Sequence, residues 1–183
     1  MARQGSSSNQ PGKVPKRRRR QDGETQLLRF LLKLTAAAVV GWTLLTYVLG
    51  IYVVHSNDMF PALRGGDLCI TWKLRKPVYG EIVSYNYDGV RRFGRVVGMP
   101  GDVIDFDDNG SYTLNGGVPN ETIFYETEKD PEITQFYPST VGDQGVFLMN
   151  DYRENTFDSR RFGTIPLSFT DGSVAILFRR RNW

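Results

Sequence analysis

Cysteine and histidine are almost missing from this chain of 183 residues: Cys69 and His55 are the only ones. A disulfide framework needs at least two cysteines, and a Cys/His zinc site or a Ser-His-Asp triad is hard to assemble from such an inventory. No metal and no other cofactor is therefore expected. A basic folded body is missing as well. Residues 1–33 carry nine basic side chains against two acidic ones, whereas the remainder carries fourteen against eighteen, so the tail is +7 and the rest −4. The pI of about 9.0 thus belongs to the tail. A protein that grips phosphates spreads positive charge over its folded face, so no nucleic-acid partner is expected. With 40% hydrophobic and 13% aromatic residues the chain can still build a core.

What is present begins with Leu34–Val54, which contains no charged residue. At about 1.5 Å per residue these positions span roughly 30 Å, the thickness of a bilayer's hydrocarbon core. The run exceeds the apolar core of a cleavable secretory signal, and Tyr47 and Tyr52 fall toward its far end, where amphipathic rings suit a membrane interface. A transmembrane helix is expected over 34–54. The basic flank, including Lys16 and Arg17 to Arg20, then places the N-terminus in the cytoplasm. Residues 1–33 read as a basic, largely disordered cytoplasmic tail and residues 55–183 as an extracytoplasmic domain of a single-pass protein of the cytoplasmic membrane, with the lipid bilayer as one partner.

That domain reads as mainly β and antiparallel. Short apolar or alternating runs occur at 68–72, 81–85, 94–98, 103–106 and 145–149, each bounded by Gly, Asp, Asn or Pro, and a last strand is expected over 172–179. Tyr112 to Leu114 followed by Asn115-Gly116-Gly117 reads as a hairpin. Residues 126–144 read as an exposed loop or insertion.

Three segments, in order, resemble the bacterial type I signal peptidases. Ser56-Asn57-Asp58-Met59-Phe60-Pro61-Ala62-Leu63, directly after the apolar run, resembles the family's Ser-x-Ser-Met-x-Pro-Thr-Leu. Arg95-Val96-Val97-Gly98-Met99-Pro100-Gly101-Asp102 is similar to its Lys-Arg-Val-x-Gly-Leu-Pro-Gly-Asp. Asn150-Asp151-Tyr152-Arg153 with Thr156, Asp158-Ser159-Arg160 and Gly163 is similar to Gly-Asp-Asn-Arg-x-x-Ser-x-Asp-Ser-Arg and its following glycine. Each motif alone is turn chemistry; their order and spacing carry the resemblance. It implies a signal-peptidase-like β ectodomain whose apolar rim rests on the bilayer, with Val54, Met59, Phe60, Pro61 and Trp72 as rim or peptide-groove residues.

The resemblance also implies a serine nucleophile activated by a lysine that burial keeps neutral. Residue by residue, the nucleophile position is Asp58 and the base position is Gly94. Both reactive groups are absent, so no catalytic residue is expected. Ser56 matches an oxyanion-hole hydroxyl and Thr156 a lysine-orienting one, and Asp158 and Arg160 complete a retained shell. Ser56 lies roughly 6 to 7 Å along an extended chain from position 58, beyond reach of the original base site. Asp58 would have to form an anhydride from an amide, and Arg95 stays protonated and points to the opposite face from residue 94. His55 reads as a polar end-residue and Cys69 as a small core residue. Arg92, two residues from Gly94, is a candidate partner for Asp58 across the space the lysine would have filled.

Two functional readings follow. In one, the chain is a non-catalytic signal peptidase I homologue that binds exported polypeptides, with a chaperone-like role on pilin subunits in sortase-dependent pilus assembly implied by degenerate members of the family; a β-rich cleft can add an extended peptide without any catalytic side chain. In the other, it is an active type I signal peptidase cleaving exported proteins.

Overall fold

A computed structural model describes residues 16–121, 123, 125–130, 132 and 137–179, with side chains from residue 23 onward. The chain divides into two units, Met1–Trp42 and Thr43–Trp183. The first holds nearly all of helix α1, Lys16–Thr43. Gly23–Val48 is long and apolar enough to cross a membrane, with a mean hydropathy of 1.6, and Leu27, Leu32, Val39 and Trp42 are exposed along it.

The boundaries expected from the apolar run need two corrections. Residues 16–33 are helical rather than disordered, since Arg, Lys, Gln, Glu and Leu are all good helix formers and no proline interrupts them. At the other end the helix stops at Thr43, passes through a π turn at Leu44–Val48, and Leu49–Val53 becomes strand β1. An apolar run does not by itself distinguish strand from helix; here Ile51, Tyr52 and Val53 find cross-strand partners in β2, Leu68–Trp72. The β domain therefore begins about six residues earlier than expected. Residues 1–15 lie outside the described residues.

The remaining strands are β3 Ile82–Tyr87, β4 Val90–Gly98, β5 Val103–Phe106, β6 Tyr112–Leu114, β7 Ser139–Thr140, β8 Gly145–Met149, β9 Ile165–Pro166 and β10 Thr170–Phe178, with a single-turn helix α2 at Ser159–Phe162. The architecture is antiparallel β, as expected. The larger sheet has seven strands in the order β1-β2-β10-β3-β4-β8-β9; β6-β5-β7 form the smaller one. The tightest local signal is the β3–β4 turn, where Asp88 (φ 51°) and Gly89 (φ 74°) take the left-handed conformations that a two-residue hairpin demands. The stretch read as an exposed loop contributes β7 and, at Glu128, a bridge to Ser111.

β8 is buried throughout because it faces two cores. Val146 and Leu148 join Val83, Tyr85, Val96 and Ile165 on one face. Phe147 and Met149 join Val97, Ile104, Tyr112 and Val141 on the other, beneath the smaller sheet. A third cluster of Val54, Met59, Leu63, Cys69 and Phe93 lies under the turn that follows β1. Opposite that cluster, β1, β2 and β10 display two cross-strand apolar rows, Ile51-Ile70-Ile176 and Val53-Leu68-Phe178. Ile51, Val53, Ile176 and Phe178 are all about half exposed.

Candidate functional site

The segment after β1 closes on itself. Val54 N–H donates to the Asp67 carbonyl at 2.8 Å and Gly66 N–H to the Val54 carbonyl at 2.7 Å. Met59 and Leu63 plug the core under this loop at 2% and 1% exposure. Met59 is therefore a core residue and not part of a groove, because the closure turns it inward. Asp58, its neighbour, is left at the surface end of the turn, half-buried, beside exposed His55, Ser56 and Asn57. Phe60 lies under the Arg64 guanidinium at 5.0 Å, Pro61 is exposed, and Trp72 is 44% exposed at the end of β2.

The Asp58 carboxylate has two donors: Ser56 Oγ at 2.7 Å to Oδ2 and Asn155 Nδ2 at 2.8 Å to Oδ1. Its carbonyl accepts from Tyr152 N–H at 2.9 Å. Loop 150–158 thus docks on the turn through its backbone and one amide side chain. What holds that loop is a buried ion pair. Arg160 Nη2 meets Asp158 Oδ2 at 2.7 Å, and both residues are 1% exposed. Asp158 also caps α2 by accepting from Arg160 N–H, while Arg160 donates to the carbonyls of Arg153 at 2.8 Å and Asn155 at 2.9 Å. The motif Asp-Ser-Arg is a brace for the residues that reach Asp58. A second brace runs from Arg95 to Asp151, at 2.6 and 2.5 Å, and this hydrogen bonding raises the guanidinium pKa still further.

Gly94 pairs with Val83 inside the sheet. A Cβ there would lie 3.0 Å from Leu148 Cβ and 3.3 Å from Tyr85 Cε1. The space expected opposite Gly94 is therefore filled. Tyr85 is fully buried; burial first, and the nearby Asp158 charge next, push its phenol well above the ordinary range, with Asp58 acting in the same sense and Arg92 against it. Arg92 is not the partner of Asp58. Its guanidinium stacks over Phe157 at 4.4 Å. Thr156 lines a cavity with Tyr125, Glu126 and Arg153.

Other nucleophiles and bases are poorly placed. Burial pushes the Cys69 thiol up to about 11, and such a thiol is mostly unreactive at neutral pH. Lys73 Nζ lies 3.1 Å from the Thr46 carbonyl and 3.8 Å from Asp171, and Lys129 Nζ sits over the Tyr137 ring at 5.7 Å. Ser56 and Asp58 have the separation of a nucleophile and a base, but a carboxylate is a feeble base toward an alcohol. The arrangement suits hydrogen bonding at a surface better than acyl transfer. Sequence reasoning missed Asn155 and Tyr85. Asn155 is a spacer within a motif, and nothing in its neighbourhood sets Tyr85 apart from any other strand aromatic.

Fold and site together define an antiparallel β domain that presents a serine-bearing turn against a braced, charged loop. A family model described as signal peptidase, peptidase S26, matches residues 27–178, and the chain belongs to that family. Signal peptidase I S of Bacillus subtilis (strain 168) is 27% identical over 145 residues, covering 73% of this chain and 78% of its own. A Staphylococcus aureus (strain N315) protein named inactive signal peptidase IA is 24% identical over 167 residues, covering 84% and 92%. A solved signal peptidase I from Enterococcus faecalis V583 aligns with 55% of this chain and 98% of its own at 24% identity and a TM-score of 0.42.

Proposed function

We propose that this chain is a membrane-anchored, non-catalytic member of its family that holds extended segments of exported proteins at the outer face of the cytoplasmic membrane. The observation that carries the reading is the pair of changes at the positions the resemblance assigns to nucleophile and base: Asp58 is occupied by Ser56 and Asn155, and Tyr85 and Leu148 pack against Gly94. A Ser-Lys mechanism has neither of its parts there. The relative named inactive signal peptidase IA, matched over most of both chains, supports the same reading. Pilin subunits are among the clients the family resemblance suggests. Orientation rests on the nine basic residues before the apolar helix. The half-exposed rows Ile51-Ile70-Ile176 and Val53-Leu68-Phe178 give the β domain an apolar face suited to a lipid interface.

The test is cleavage. Purified full-length chain in detergent, incubated with an exported precursor, leaves it intact, while a chemical cross-linker captures the precursor on the β domain. The competing reading, an active peptidase working through Ser56 with Asp58 at 2.7 Å, requires cleavage that vanishes on Ser56→Ala.

A further inference from the structure

The β domain matches its buried and half-buried arginines with carboxylates, with one exception. Arg91 pairs with Asp171, Arg95 with Asp151, Arg153 with Glu121 and Arg160 with Asp158. Arg92 is half-buried like Arg91 and Arg95, yet it has no hydrogen bond or ion pair among the described residues. Its guanidinium lies over the Phe157 ring. Nε is sealed in without an acceptor, but Nη1 and Nη2 are not enclosed and stay open to solvent. Asp58 does not reach them, because its carboxylate is taken up by Ser56 and Asn155.

The Arg92 guanidinium and the Asp58 turn are nonetheless neighbours. Asn155 Oδ1 accepts from Phe157 N–H at 3.0 Å while its Nδ2 donates to Asp58, so one amide holds both the ring under Arg92 and the turn. Phe157 is braced edge to face by Tyr87 at 6.3 Å and Phe162 at 5.7 Å. The Arg161 guanidinium lies 5.8 Å from the same ring, and its own ion pair with Glu132 joins side chains that are 43% and 68% exposed. Pairs so exposed hold weakly. Two like charges thus converge on one ring, and only a surface glutamate offsets either. Stacking covers the flat face of a guanidinium and leaves its in-plane N–H donors free, in the fork that a carboxylate meets with both oxygens.

We propose that Arg92 is a carboxylate-binding residue, and that the extended polypeptide segment held by this chain brings a carboxylate to Nη1 and Nη2 beside the Asp58 turn. This rests on the peptide-holding function proposed above and adds the place and the charge of what is held. An aspartate or glutamate side chain and the free end of a polypeptide offer the same two oxygens to these donors. A lysine or arginine at that point of the segment is disfavoured, since it would meet Arg92 and Arg161.

The experiment uses full-length chain in uncharged detergent micelles and three hexapeptides carrying an uncharged fluorophore at the N-terminus. One has a central glutamate and an amidated end, one a central glutamine and a free C-terminal carboxylate, and one a central glutamine and an amidated end. At least one of the two carboxylate peptides is expected to bind about tenfold more tightly than the uncharged peptide, with an advantage that shrinks with salt; which of them does so tells a side chain from a chain end. Arg92→Gln should erase the preference, and Arg92→Lys, which keeps the charge without the fork, should retain part of it. Because Arg92→Gln also gives up the contact with Phe157, the unaltered chain is tested independently: a diazirine beside the carboxylate should label residues 90–93 or 155–162. Equal binding of all three peptides, a preference that survives Arg92→Gln, or labelling confined to other residues would overturn the carboxylate site while leaving the peptide-holding reading in place. Binding of none of the peptides by the unaltered chain would overturn both.

Discussion

Asn155 and Asp58 are joined by a 2.8 Å hydrogen bond across 97 positions of sequence, which fastens the loop after β8 to the turn after β1. In the position where the family resemblance implies a nucleophile, this chain has a fastener.

Replacing Asp58 by Ala should therefore cost about 1 to 2 kcal/mol, because Asn155 Nδ2 loses its acceptor while Ser56 remains free to turn to water. Asp58→Asn, which keeps one oxygen, should cost less. Denaturant unfolding of the detergent-solubilised chain measures both. A loss below about 0.5 kcal/mol, typical of a surface substitution, would show that the contact bears no load.

Restoring the family pattern should fail. Asp58→Ser with Gly94→Lys puts a Cβ 3.0 Å from Leu148 Cβ, and such overpacking costs about 1 to 3 kcal/mol. We expect a destabilised protein without cleavage. Adding Leu148→Ala relieves the clash, and the triple variant is the one in which precursor cleavage is to be sought. Activity in the double variant would show that the strand gives way more readily than its contacts indicate.

The Asp158–Arg160 pair is fully buried, and removing one partner of such a pair typically costs about 3 to 5 kcal/mol. Asp158→Ala should unfold at markedly lower denaturant and should also release loop 150–158, visible as faster amide exchange at Tyr152 and Asn155. Exchange there unchanged from the parent chain would separate the brace from the loop it is held to support.

Acid should loosen the junction of β1, β2, β4 and β10. Burial acts to raise the Asp171 carboxyl, but hydrogen bonds from Arg91 and Tyr52 outweigh it and hold the group below its usual range. A depressed folded-state value gives stability that is present above the unfolded carboxyl's pKa, about 3.9, and is lost as pH falls through the folded value. The acid limb of the stability curve should flatten in Asp171→Asn. An identical limb in both proteins would assign the acid sensitivity elsewhere.

Cys69 should resist alkylation. With its thiol pushed up to about 11, only about one molecule in a thousand is thiolate at pH 8, and the side chain has no surface exposure. Iodoacetamide should label it only after denaturation, as mass spectrometry will show.

The strands with the clearest turn punctuation could be read from the sequence: 68–72, 103–106 and 145–149 fall where Gly, Asp and Asn said they should. β1 could not, because its apolar residues continue a helix's apolar run without a break and only the pairing with β2 reveals them as strand. At the site, the positions of Asp58 and Gly94 followed from motif spacing. Their surroundings did not. Whether Gly94 faces a hole depends on Leu148 and Tyr85, which reach it from two other strands, and the partner of Asp58 is an asparagine in a spacer. Arg92 was a reasonable candidate by strand periodicity, yet Phe157 offers its guanidinium a flat aromatic surface that no local pattern announces.

The order β2-β10-β3 has a consequence for how the domain comes into being. The early pairs β1-β2 and β3-β4 are not each other's neighbours; β2 and β3 flank a gap that only residues 170–178 fill. A chain delivered from its N-terminus must wait, with two strand edges open, until nearly the whole domain has arrived. Folding of this sheet is thus closed by its last strand, in the manner of a keystone, and a ribosome or translocon stalled anywhere before residue 170 leaves a molecule with the Asp58 turn already synthesised and no finished sheet to hold it.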